Sequence, residues 1–435
     1  MHKETLSWLR NTLGPLFLIL VTPTAALVIW YTNAYLSGSF IKFWQLVESK
    51  GFLPSLYSIW KPVFFGSQTA WSIIAIFMVF QLLLMRLLPG KTFYGPITPK
   101  GNRPVYKANG ILAFCTTLLC FCLSSFYFHW FSASIIYDNF GSLLGALNLF
   151  SLLFCLILYF KGRFWPSSTD SGASGNFLFD YYWGTELYPR FLGWQLKQFI
   201  TCRVGMMSWG LILLSYAAKQ HELVGLSNSM LVSIALQLLY ITKFYIWETG
   251  YLSSLDIMHD RAGYYICWGC LVWVPCVYTS PSMYLVLHPI DLNPWFATFI
   301  FVSGAFCIAI NYLADRQRQK VRATEGHCKI WGKKPVTTLA EYQTEDGEIK
   351  HNLLLASGWW GITRHFHYLP EILAAFFWSL PALFSHFMPY FYVSFLTILL
   401  LDRAYRDEKR CALKYGLYWQ KYCQRVPYKI LPYLF

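Results

Sequence analysis

Long stretches of this chain carry almost no charge, and most are about the length that crosses a bilayer. A spanning helix needs about 20 mostly apolar residues. Ten such stretches can be read: Gly14–Tyr35, Ala70–Leu88, Gly110–Trp130, Gly141–Phe160, Val204–Ala218, Leu226–Trp247, Tyr264–Leu287, Pro294–Leu313, Ile372–Phe387 and Tyr390–Leu401. The last two are short and are separated by Met388-Pro389, which also permits a hairpin that does not fully cross. Only 13% of the 435 residues are charged, against about 25% in an ordinary globular domain. A soluble fold, a disordered chain and a disulfide scaffold are thereby excluded. The apolar runs are continuous, not alternating, which excludes a membrane β-barrel. The expected fold is an all-α multi-pass membrane protein of about ten helices. No short apolar run with a small-residue cleavage site stands at the N-terminus, so no cleaved signal peptide is expected.

The chain has a formal charge of +14, and its location decides what the charge means. With a cytoplasmic N-terminus and ten spans, 30 of the 35 Lys and Arg residues fall on the cytoplasmic side, and Lys42, Lys50, Lys61 and Lys219 on the other. This is the positive-inside pattern. It accounts for the basic charge without nucleic acid as a partner. The two largest clusters, 314–369 and 403–435, share one face near the C-terminus. Topology alone explains much of them; a site for a phosphate-bearing ligand is the sharper reading.

Small motifs add little. The twelve cysteines are scattered, mostly in apolar runs, so a disulfide framework is not expected. Cys267-Trp-Gly-Cys270 lacks a second ligand pair and reads as packing. His365-Phe-His367 has no acidic third ligand nearby, so no metal is expected. Neither GxGxxG nor GxxxxGK[ST] occurs, so a bound nucleotide would need another fold. Segment 161–190, with its Ser167–Gly172 run, reads as the most flexible stretch.

Ionisable residues at bilayer depth are costly and therefore candidates for function. Tyr240, Lys243 and Trp247 are spaced to share a helical face, followed by Glu248, Asp256, His259 and Asp260. Such a stripe would line a cavity; the plainer alternative is a snorkelling lysine at an interface. Arg318 and Arg322 lie four apart, and guanidinium forks suit phosphate oxygens. Taken alone, the pair is explained slightly better by contact with lipid headgroups. Arg403, Asp407, Cys411 and Tyr415 are each four apart, one stripe of base, acid, thiol and phenol. A solvated face rarely keeps Cys and Tyr in line with its charges, so this stripe reads as a binding surface.

Several long motifs also resemble a known family. They are Gly95-Pro-Ile-Thr-Pro-Lys-Gly101 running on to Asn109-Gly110, Trp183-Gly-Thr-Glu186-Leu-Tyr-Pro189-Arg190, Arg203-Val-Gly-Met-Met-Ser-Trp209 and Leu255-Asp256-Ile-Met-His259-Asp260. Toward the C-terminus come Gly326-His-Cys328-Lys-Ile-Trp331, Ser357-Gly358-Trp359-Trp360-Gly361 with Arg364-His365, and Arg406-Asp407-Glu408-Lys409-Arg410-Cys411 through Gly416. In this order, from about residue 85 to the end, the chain resembles the sterol carbon–carbon double-bond reductases, nearest the branch that acts at the 7-position.

The resemblance implies a division into N-terminal spans, 1–220, and a catalytic region, 221–435, with NADPH as cofactor. It implies that Arg318 and Arg322 meet the phosphates. Leu355, Trp359 and Trp360 would pack the cofactor, His367 and Tyr368 would contact it, and Arg403, Asp407, Cys411, Lys414, Tyr415 and Tyr422 would line its nicotinamide half. Tyr240 would face a sterol drawn from the bilayer, with Asp407 as its partner in proton delivery. Lys243, Glu248, His259 and Cys270 fall in the region of the implied sterol pocket. Three positions depart from the family pattern: His367 stands for Asn, Lys243 for Asp and Cys270 for Asp. The family sits in the endoplasmic reticulum membrane of a eukaryote, or the inner membrane of a bacterium.

A sterol alkene has no carbonyl to take up hydride charge. The plausible order is protonation to a tertiary cation and then hydride capture, which needs an acid in a dry pocket. Reduction at the 24- or 14-position, a non-catalytic sterol-binding protein and a transporter are the competing readings. No paired broken helices in matching halves support the last.

Overall fold

The computed structural model describes residues 8–98, 100–343 and 347–433. The chain packs as two units. Among the described residues, the first takes 8–98, 102–292 and 382–389; the second takes 100–101, 293–381 and 390–433. Gln220 and His221, on either side of the division implied by the resemblance, lie inside one helix of the first unit.

Among the described residues, eight helices are long and apolar enough to cross a membrane. Seven belong to the first unit: α1 (Leu9–Tyr35), α4 (Gln68–Leu87), α5 (Gly110–Tyr127), α6 (Phe140–Phe164), α7 (Leu196–Val224), α8 (Asn228–Ile246) and α9 (Tyr264–Leu287). Between α1 and α4 lie two short helices, α2 (Phe40–Lys50) and α3 (Phe52–Trp60). A two-stranded ribbon, β1 (Lys91–Tyr94) with β2 (Val105–Ala108), joins α4 to α5. Helix starts follow local chemistry. Ser67 accepts from the Ala70 amide and Ser227 from the Met230 amide, each satisfying a first-turn N–H.

Burial separates core from periphery. In α7 and α9, 83% and 78% of the most apolar window is buried, against 28% in α1 and α4. A helix apolar all round and packed all round is a core helix. Both core helices contain a π-helical stretch, Phe199–Gly205 in α7 and Gly269–Tyr278 in α9, the latter holding Pro275. Segment 161–190 does not have the loose character its composition suggests. The buried Glu186 carboxylate takes the Ser167 amide at 2.5 Å and the Lys161 ammonium at 2.8 Å, and buried Asp180 takes the Ser174 amide. These buried acids fix the segment at internal points.

The eighth long helix, α10 (Pro294–Ala323), opens the second unit. Asn293 accepts from the Trp295 amide, and Pro294 occupies the first helical position. Thirty residues reach about 45 Å, while the hydrocarbon core is about 30 Å thick. The apolar run read to Leu313 thus continues without a break through the basic run to Arg322. A hairpin follows, β3 (Thr337–Gln343) with β4 (Ile349–Leu355), in antiparallel register from Thr337↔Leu355 to Gln343↔Ile349. The last two apolar stretches become α11 (Tyr368–Ser379) and the first half of α12 (Phe391–Tyr415). Neither is among the eight. The apolar part of α11 stops after twelve residues in 3-10 turns at Leu380–Ala382, and α12 spends its second half on charged residues. Helix α13 (Leu417–Arg425) closes the unit.

Candidate functional site

All residues expected at a cofactor fall in the second unit, on α10, β4, the turn after it, α11, α12 and α13. The last turns of α10 supply the first wall. The Trp360 indole N–H donates to the Ala314 carbonyl at 2.7 Å, and the Arg318 guanidinium lies 4.2 Å above that indole ring. Asp315 steadies Arg318 at 3.3 Å. Gly358 makes the approach possible. It has φ +62°, and a Cβ there would stand 2.4 Å from Gln317 Oε1, which accepts the Trp359 amide at 3.1 Å. The turn is therefore sewn to α10 by its backbone. Val321, Ile330, Leu355 and Trp360 form one buried cluster with Trp359 packed on it. His367 continues the wall, its ring 5.0 Å from Trp360 and 4.3 Å from Tyr368, its carbonyl taking the Asn311 amide group at 2.8 Å.

The second wall is α12. Its four-residue spacing puts Arg403, Asp407, Cys411 and Tyr415 in one row. Cys411 and Tyr415 are buried with Ala340, Leu354, Trp419, Tyr422 and Val426. Asn352 of β4 donates to the Tyr415 hydroxyl at 2.8 Å, and the Lys414 ammonium stands 3.9 Å over the Tyr342 ring of β3. The hairpin is thus clipped along α12. Burial pushes the Cys411 thiol up to about 12, so it is a packed thiol and not a nucleophile. Burial also pulls the Lys414 ammonium down and raises the Tyr415 phenol.

The electrostatics of this cluster favour an anion. Arg322 lies within electrostatic reach of Arg318, Asp407, Cys411 and Tyr415. Arg410 pairs with Asp407 at 2.8 Å, while its buried Nε has no hydrogen-bond partner. Arg318, Arg322, Arg410 and Lys414 outnumber Asp315 and Asp407. A surplus of guanidinium forks beside stacked indole and phenol rings suits a ligand with phosphates and a flat ring.

One strong feature had no local signal. Arg364 grips Glu408 through two contacts, 2.6 and 3.0 Å, across 44 residues, and its third nitrogen donates to the carbonyls of Val426 and Pro427. The Arg364 and His365 amides donate to Tyr428 and Lys429. The segment after α13 is thereby tied beside α12. Burial alone would raise the Glu408 carboxyl, but His365 and Arg364 overcome it and hold it down at about 2.

The residues expected at the sterol belong to the first unit. On α8 the Lys243 ammonium stands 5.3 Å from the Tyr240 ring centre and 5.7 Å from that of Trp247, and Tyr240 lies 5.7 Å from Trp209. Glu248 has a structural task. It is 3% exposed, pairs with buried Arg203 at 2.6 Å, and accepts the Gly110 amide at 2.7 Å and Gln198 at 3.2 Å. Arg203 in turn donates to Asn109 at 2.9 Å. His259 is exposed, 3.0 Å from Asp260 and edge-on to Trp183. Cys270 is half-buried at the start of the π-helical stretch of α9.

The comparison with protein families decides the membership. Residues 10–435 match the model of the ergosterol biosynthesis ERG4/ERG24 family. The chain belongs to this family. It is 51% identical over 420 residues to a 7-dehydrocholesterol reductase of Arabidopsis thaliana, covering 96% of each protein. It is 38% identical over 394 residues to that of Xenopus laevis, covering 87% of this chain and 83% of the relative. A Delta(14)-sterol reductase of Methylotuvimicrobium alcaliphilum is 35% identical over 436 residues, covering 97% of this chain and 94% of the relative. This ERG4/ERG24 member is thus an integral membrane protein whose match runs through both units.

Proposed function

We propose that the protein reduces the 7-position double bond of a 7-dehydrocholesterol-type sterol, using NADPH. The observation that carries the reading is the 51% identity, along nearly the whole chain, to a relative bearing that name, against 35% to the Delta(14) enzyme. The second unit fits the cofactor. A cationic surplus, a buried unpartnered Arg410 Nε, and the Trp359, Trp360 and Tyr368 rings packed against Phe366, Arg318 and His365 support a phosphorylated dinucleotide. Arg318 and Arg322 would hold phosphate oxygens; Arg403, Cys411, Tyr415 and Tyr422 would shape the slot for the ring. NADPH supplies hydride when bound.

The remaining chemistry falls to the protein. Tyr240 holds the proton at its hydroxyl and gives it to the alkene carbon, leaving a tertiary sterol cation. An ordinary phenol, with a pKa about 10, is a weak acid and needs a proton source behind it. The Trp209 and Trp247 faces near Tyr240 and Lys243 supply quadrupoles that stabilise a passing cation. The sterol reaches this acid from the bilayer.

The test is incubation of membranes carrying the protein with NADPH or NADH and separate 7-, 14- and 24-unsaturated sterols, with products identified by mass spectrometry. Loss of the 7-double bond with NADPH is expected. Reduction only at the 14-position would transfer the assignment to that branch, and no product from any sterol would leave a sterol-binding protein.

A further inference from the structure

The C-terminal end of α1 and the start of α6 enclose a half-open cavity of about 190 Å3 in the first unit, lined by none of the candidate site residues above. Its walls are Trp30, Tyr35, Tyr137, Phe140 and Met283, with Asp138 among them. The rings are fixed. Trp30 and Tyr35 meet edge to face at 5.6 Å, and Tyr137 and Phe140 both lean on Tyr216, at 5.7 and 5.8 Å. Gly141 brings α6 against α1, since a Cβ there would stand 2.1 Å from the Trp30 ring. Burial pushes the Tyr137 phenol up to about 12, so it presents a neutral ring.

The charge at this cavity runs against the rest of the chain. Asp138 pairs with Lys219 at 2.7 Å, and Lys219 also reaches Glu222 at 3.5 Å. Two acids face one base, a net negative spot in a protein of +14. The Lys219 ammonium already stands 6.0 Å from the Tyr137 ring, so one aromatic face here accepts a cation. Tryptophans and tyrosines at a membrane interface are ordinary. A ring-walled hollow with a carboxylate in its lining is more than a belt.

We propose that this cavity binds a quaternary ammonium group of the choline type. Ring faces attract such a cation, and its methyl groups pack on aromatic walls without asking for hydrogen bonds. Asp138 already takes the Lys219 ammonium at Oδ1 and the Ser134 hydroxyl at Oδ2, which leaves the lining short of acceptors for a further primary ammonium, whereas a quaternary one asks for none. Its place, where α1 ends and α6 begins, is the depth of lipid headgroups.

The test uses the full-length protein in a maltoside detergent. Phosphatidylcholine, phosphatidylethanolamine and phosphatidylglycerol of identical chains are added, and retained lipid is read by native mass spectrometry. Phosphatidylcholine should be retained about tenfold over the others, equivalent to two or three ring contacts. The variants Asp138→Asn and Tyr35→Leu (Tyr35 being 64% exposed at the rim) should abolish that preference while sterol reduction, the check on folding, is kept. A parallel arm titrates choline chloride alone. Variant-sensitive binding of choline chloride assigns the site to free choline, binding of the lipid alone assigns it to the headgroup, and either upholds the chemistry. Equal retention of the three lipids, or a preference that survives Tyr35→Leu, overturns it.

Discussion

Arg318 rests its guanidinium 4.2 Å above Trp360, and that indole is itself fixed to α10 by a 2.7 Å bond to the Ala314 carbonyl. One residue of helix thus holds the ring that carries the guanidinium of the next turn. Arg318 is pre-set before any anion arrives, which lowers the ordering cost of binding.

Arg318→Lys keeps the charge but loses the planar fork and the stacking. We expect the KM for NADPH to rise about tenfold, with a smaller change for NADH, corresponding to roughly 1–2 kcal/mol. Steady-state kinetics with both cofactors checks this. An equal change for the two would remove Arg318 from the extra phosphate.

Tyr240→Phe removes the phenolic proton and leaves the ring. Turnover should fall by about 10²–10⁴-fold, the usual worth of a positioned proton donor, with NADPH affinity unchanged. Binding is followed by cofactor fluorescence and turnover by sterol product. Turnover at the original rate excludes Tyr240 from the mechanism.

The Arg364–Glu408 clamp makes an acid-side prediction. The Glu408 carboxyl is depressed from an ordinary value near 4.5 to about 2. A group depressed in the folded state stabilises it above the ordinary value, and this stability is lost as pH falls from about 4.5 toward 2. Glu408→Gln should therefore cost about 2 kcal/mol at pH 7, and the gap to the parent should shrink on acidification. Thermal unfolding in detergent between pH 7 and pH 3 measures the difference; a gap that stays constant across this range would falsify the assignment.

The Arg203–Glu248 pair is fully buried. Breaking it from one side, as in Glu248→Gln or Arg203→Met, should cost about 3–5 kcal/mol, because an uncompensated charge remains. The double variant should recover part of that loss. A double variant as unstable as the sum of the singles would show that the two residues act independently.

What the sequence made legible was what repeats locally. Hydropathy located the long helices because every turn of a span must be apolar on its own. The four-residue rhythm of Arg403, Asp407, Cys411 and Tyr415 located the α12 row because that rhythm is the pitch of the helix. Pairings across the chain leave no such mark. Nothing near Arg364 announces Glu408, 44 residues away, and nothing near Glu248 announces Arg203 or the Gly110 amide. Glu248 looked like a pocket residue for the same reason that it is a strut: a buried acid needs partners, and sequence does not name them. The π-helical stretches of α7 and α9 escape a reading based on hydropathy because they change hydrogen bonding without changing composition.

Residues 382–389 pack with the first unit although the chain has already passed into the second. There His386 meets the Tyr284 hydroxyl at 2.8 Å, and Phe387 lies against Phe40. Beyond residue 292 the chain therefore leaves the first unit, returns for eight residues and leaves again. During synthesis the first unit is complete only after almost ninety intervening residues, from 293 to 381, have emerged. Neither half is a module that a gene could donate or a ribosome could finish alone.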